Sequence, residues 1–155
     1  MWWIGIGAGI GVVIWLVLQA RESIRRQRLQ DIRFAVRVFR YRREMLEAKF
    51  LDLARSHGKP RGLIWTECDW LQELSFAKDR ETGLLTAFVG IRIHFKPVPD
   101  GDMEDVESVS YHREATALFH YERGSWGTGG RVLFNLQPHD ALERFHRQFE
   151  PVLPG

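Results

Sequence analysis

From Trp2 to Leu18 the chain has no charged side chain and no polar one apart from the Trp indoles. At about 1.5 Å per residue, a helix of this length nearly crosses a hydrocarbon core of roughly 30 Å. Residues 1–20 therefore read as a transmembrane anchor. A cleaved signal peptide differs in three ways: it opens with basic residues, its apolar run is shorter, and small residues mark its cleavage site. Here no basic residue precedes the run, and Leu18-Gln19-Ala20 puts a bulky residue at the −3 position. The expectation is a retained signal-anchor and a single-pass membrane protein.

The charge on either side of the anchor predicts its orientation. Arg21, Arg25, Arg26 and Arg28 all lie on the C-terminal side. The positive-inside rule then puts the N-terminus outside and residues 21–155 in the cytoplasm, at the cell membrane. Trp2, Trp3 and Trp15 suit the interfacial belts. Gly5-xxx-Gly9 and Gly7-xxx-Gly11 match the small-residue spacing that lets membrane helices approach closely. The same glycines fail as a dinucleotide fingerprint, because Ile10 and Val12 occupy the positions of its third glycine.

Residues 21–58 form a basic, amphipathic juxtamembrane helix. Residues 21–43 hold nine Arg against Glu22 and Asp31, and Gly58 with Pro60 stops the helix. Ile32, Phe39, Leu46 and Leu53 keep a seven-residue step, joined by Val36 and Phe50 on the same face and with Leu29 near its edge. Arg43 interrupts that seam. A second apolar row, Phe34, Val38, Tyr41 and Met45, lies opposite. One row is expected to meet the soluble domain, the other a second copy or the membrane surface. A homodimer through the transmembrane and stem helices follows as an expectation. Arg26, Arg33, Arg37 and Arg40 form a polar stripe, of which the first residues suit anionic lipid headgroups. Nucleic acid is not an expected partner, since the aromatic residues sit on the apolar rows.

Residues 59–155 read as a small α+β soluble domain. The 45% hydrophobic content and six Trp support a packed core. From Gly58 onward, fifteen acidic residues outnumber eleven Lys and Arg, so a basic collar joins the anchor to a mildly acidic domain. The single cysteine, Cys68, cannot form an internal disulfide, which favours a reducing compartment. Period-two alternation predicts a short strand at Leu63–Trp65 and four longer ones at Trp70–Lys78, Leu84–Lys96, Glu114–Arg123 and Trp126–Leu136. The four longer strands read as an antiparallel meander. Pro138, Leu142, Phe145 and Phe149 predict a C-terminal helix ending before Pro151. The expected fold is an α+β sandwich with its helices on one side of the sheet.

Candidate sites are few. The acidic run from Pro99 to Glu107 lacks the Gly and Glu positions of a calcium loop. His139 and His146 are two turns apart, too far for a helical zinc pair. His120-Tyr121-Glu122 resembles the H-x-E of zinc deaminases without the P-C-x-x-C that completes it. The glycines around Trp126 lack the Lys of a phosphate loop, which leaves a hairpin tip or bulge. His94, His120 and Glu122 remain as a candidate pocket for a small ligand or hydrolytic chemistry, with Cys68 or Glu122 as a partner for the histidines. No catalytic, metal or cofactor constellation is expected.

The order of apolar helix, amphipathic continuation and antiparallel sheet resembles the architecture of type IV pilin-like subunits. The resemblance is topological. Their processing site, a basic leader and Gly before Phe with Glu five residues into the helix, is absent, and arginines follow the apolar segment directly. The resemblance implies an exported assembly subunit as an alternative. The leading expectation is a membrane-anchored cytoplasmic domain that binds or scaffolds a protein partner the sequence does not name.

Overall fold

The computed structural model describes the backbone of residues 2–57, 63–97 and 112–153, and the side chains of 13–56, 64–96 and 112–153. The chain is α+β: a long N-terminal helix, an antiparallel sheet and a short C-terminal helix. The acidic run at 99–107 and the Gly58 and Pro60 stop signals lie outside the described residues, as do the side chains of Trp2 and Trp3.

Helix α1 runs from Trp2 to Tyr41 without a break, about 60 Å at the usual rise. Helix α2 follows at Arg43–His57. Only Arg42 interrupts them, and the turn is bridged by Arg42 N–H donating to Val38 O and Leu46 N–H to Arg42 O. The predicted stem is therefore two helices with a one-residue break at Arg42. Among the described residues no helix is long and apolar enough to cross a membrane. Side chains of α1 are described only from Val13, so six apolar residues precede Gln19 and Arg21.

The sheet order is β4-β3-β2-β1-β6, with β5 also pairing β3. Its strands are β1 Leu63–Asp79, β2 Leu85–Pro97, β3 His112–Glu122, β4 Ser125–Gly127, β5 Val132–Phe134 and β6 Phe149–Val152. Alternation puts Ala87, Val89, Ile91 and Ile93 of β2 and Ala115, Ala117 and Phe119 of β3 on one face, all buried. Ala35, Val36 and Phe39 of α1 and Leu46, Phe50 and Ala54 of α2 fill the same cluster. Small alanines on the strands leave room for helical aromatics. Phe39 packs edge-on against Phe76, Phe119 and Trp126, with centroids 5.8, 5.4 and 4.9 Å away.

Four expectations need correction. The two strand candidates at Leu63–Trp65 and Trp70–Lys78 are one strand, β1, whose pairing with β2 shifts between Trp70 and Leu74, where a bulge lets it continue. The strand predicted from Trp126 to Leu136 splits into β4 and β5. Gly130, at φ +71°, brings its backbone onto α2, where an added Cβ would lie 2.8 Å from Ala54 N. The C-terminal helix α3 covers only Pro138–Arg144, and Phe149 belongs to β6. Burial of Phe149 against Phe88 (5.0 Å, edge-on) draws that segment onto the sheet. Pro151, read as a helix stop, is tolerated because β6 is an edge strand.

The last correction concerns the layers. α3 does not join α1 and α2: Phe88, Leu118, Ala141, Leu142 and Phe149 form a second cluster on the other face of the sheet. Phe88 and Leu118 alternate against the first cluster and are fully buried only because α3 covers them. Arg43, which breaks the apolar seam, is also accounted for. Its Nε bonds Glu47 at 2.6 Å and its Nη2 donates to Leu71 O at 2.8 Å, so it caps a carbonyl in the bulge of β1.

Candidate functional site

Two surfaces stand out. The first is the N-terminal part of α1. Val13 to Leu18 are exposed by 46–60%, on every side of the helix, with no part of the domain covering them. Trp15, at 59%, is among them. Arg21, Arg25, Arg26 and Arg28 follow, all exposed. The domain packs only from Ile32 onward, so residues 21–31 form a free-standing basic stem about 16 Å long. Of the glycines predicted to pack helices, Gly5, Gly7, Gly9 and Gly11 are all within α1.

The second surface is a cleft of about 870 Å³ between the end of α1, the edge of β1 and α3. Leu74, Phe76, Leu142 and Val152 supply apolar walls, and Arg40, Arg43, His139 and His146 a basic rim with Glu143. β6 pairs only Phe76–Asp79 of β1, so the cleft opens where the remaining edge of β1 has no strand beside it among the described residues. A concave, mostly apolar site with a few polar groups is the usual form of a ligand or peptide site. Neither α3's opposite position nor the short β6 was predicted, which is why the sequence gives no hint of this cleft.

His94 and His120, the two histidines of the predicted pocket, do not come together. His94 pairs with His112 across β2 and β3, and its Nε2 lies 2.8 Å from Asp69 Oδ2, near the open end of the sheet. His120 pairs with Thr86 at the other end, eight residues along β3 from His112, about 26 Å away. His120 and Glu122 line a separate cavity of about 390 Å³. Burial, with the positive Arg131 behind it, pushes the His120 imidazole below its ordinary pKa. Its Nδ1 is 3.2 Å from Thr86 Oγ1, in a wall that also buries Thr86 completely.

Cys68 faces the helix-covered side, packed against the first cluster, while His94 and His120 alternate onto the other side. Burial, then the negative Asp69 and Glu47, push its thiol up to about 12. It is a partly buried residue packed on the core, with almost no thiolate, and not the partner of either histidine. Among the described residues no group of three His, Cys, Asp or Glu is placed to hold a metal ion.

Asp79 does structural work. Oδ1 accepts from the backbone N–H groups of Glu81 (2.8 Å) and Thr82 (3.0 Å), and Oδ2 from Gln148 Nε2 (3.0 Å). These bonds, Thr82 first, hold its carboxyl below the usual range and tie the β1–β2 turn to the segment before β6.

No protein-family model matches the chain, and no curated protein or solved structure shows significant similarity to it.

Proposed function

We propose that the chain is a single-pass membrane protein. Residues 1–20 anchor it, residues 21–58 form a basic stem, and the α+β domain is displayed on the cytoplasmic side as a binding or scaffolding module. The observation that carries this reading is the ring of exposed apolar side chains from Val13 to Leu18, followed at once by four exposed arginines. Six apolar residues bare to water on every side of a helix are costly, at about 25 cal/mol per Å² of apolar surface, and a bilayer removes that cost. The uncharged sequence from Trp2 to Val12 extends the run to membrane length.

The partner-binding surface in this reading is the 870 Å³ cleft beside β1. Its apolar walls and basic rim suit an extended segment with apolar side chains and acidic flanks, added along the open edge of β1. Arg40, which has no ion pair or hydrogen bond among those described, is the free charge on that rim.

Deletion of residues 2–20 tests the anchor: the truncated chain moves to the soluble fraction while the full chain stays in carbonate-washed membranes. Equal partition of both chains would overturn the reading.

A further inference from the structure

The N-terminal helix continues without a break from the apolar segment into the stem, so the phase of its faces carries through. Leu16, Ala20, Ser23, Gln27, Gln30 and Phe34 follow one another at alternating steps of four and three residues, the spacing of a coiled-coil seam. All six are exposed, and none touches the sheet, which the helix meets through Ala35, Val36 and Phe39. Continuing the same steps toward the N-terminus reaches Val13 and Gly9. None of the five arginines between Gly9 and Phe34 occupies a seam position. Arg37 is the first charge on it, where the helix is already docked on the domain.

We infer that this seam pairs with the same seam of a second copy of the chain, the two helices running parallel. In a parallel two-fold pair every seam residue faces its own copy, so a charge there repels itself. Keeping the five arginines that precede Phe34 off the seam meets that condition; a different partner would impose no such rule. One flanking pair is complementary in the same arrangement. Across a parallel pair, the residue just before one seam position faces the residue five further on in the partner chain. Arg26 then faces Asp31 of the other copy. Asp31 is the one acidic residue between Glu22 and Glu44, and it has no partner of its own among the described contacts. Arg26 makes only an exposed contact with Glu22 at 3.3 Å.

Ser23, Gln27 and Gln30 bury little apolar area, so the stem seam is weak alone and sets register rather than strength. Two chains confined to one bilayer meet at a high effective concentration, which lets a weak seam pair. The inference rests on the anchor reading for this gain and for the parallel sense.

Cysteine crosslinking of the full chain in native membranes tests it, on a Cys68→Ser background. Gln27→Cys and Gln30→Cys should give self-crosslinked dimers in at least about tenfold higher yield than Arg25→Cys and Arg28→Cys, which lie off the seam. In the Gln27→Cys chain, Asp31→Arg should lower the yield, and adding Arg26→Asp to it should restore it. Equal yields on and off the seam, monomer alone, or crosslinks to a protein of another mass would overturn the inference. Carbonate washing of the same membranes separates the two readings. Chains that stay in the pellet without seam crosslinks sink the seam alone. Chains that wash out while still crosslinking at Gln27 and Gln30 sink the anchor and keep the seam.

Discussion

The indole Nε1 of Trp126 donates a 2.7 Å hydrogen bond to the carbonyl of Ala35, joining β4 to a helix 91 residues earlier in the chain. Both ends of the bond are buried. With Phe39 stacked edge-on 4.9 Å from the same indole, it locks the direction in which α1 leaves the domain. Trp126→Phe keeps most of the packing and loses the bond, at a cost of about 1–2 kcal/mol. Trp126→Ala empties the site as well and costs about 3–5 kcal/mol. Denaturant titration of the detergent-solubilised chain measures both, and an unchanged stability in Trp126→Phe would show that the bond contributes nothing.

Two glycines at positive φ should respond differently to alanine. Gly130→Ala meets both an unfavourable φ of +71° and the α2 backbone at 2.8 Å, whereas Gly124, at +81°, has nothing within 4 Å. Backbone strain alone costs on the order of 1 kcal/mol at either position. The thermal midpoint should therefore fall clearly further for Gly130→Ala, because the end of α2 must also move. A larger drop for Gly124→Ala would contradict this packing.

Cys68 should resist alkylation in the folded chain. A thiol pushed up to about 12 holds almost no thiolate at pH 8. Iodoacetamide labelling followed by mass measurement should find the thiol unmodified in the native chain and modified in denaturant. Rapid labelling of the native chain would mean that the thiol is exposed.

His120 predicts a pH dependence. Its folded pKa lies below the ordinary histidine value, so between the two the unfolded chain binds the extra proton. The stability that His120 contributes is present above about pH 6.5 and falls as the pH drops, levelling off below its folded pKa. His120→Asn should flatten that part of the stability profile. An unchanged slope would assign the dependence to another group.

Much of the architecture is legible in the sequence because it rests on periodicity. Strict alternation from Leu85 to Phe95 and from Ala115 to Tyr121 marks β2 and β3, and the row through Val36, Phe39, Leu46 and Phe50 marks the face buried on them. What is not legible depends on partners distant in sequence. Phe88 and Leu118 look like solvent-side positions until α3 covers them. Phe149 fits the helical spacing of Leu142 and Phe145, yet its burial against Phe88 makes it a strand residue. Arg43 reads as a flaw in an apolar seam because the carbonyl it caps, Leu71 O, belongs to a bulge with no local signature. The cleft depends on all of these placements at once. His94 and His120 share a sheet face, but only the register shows that they stand at opposite ends of it.

In the proposed function the apolar N-terminal helix holds the domain at a membrane, with the domain inside. Protease protection in sealed, right-side-out vesicles tests it most directly, using an epitope tag placed after Gly155. The tagged chain should stay with carbonate-washed membranes, and the tag should survive protease until the vesicles are permeabilised. Release of the chain by carbonate, or digestion of the tag in intact vesicles, would contradict it.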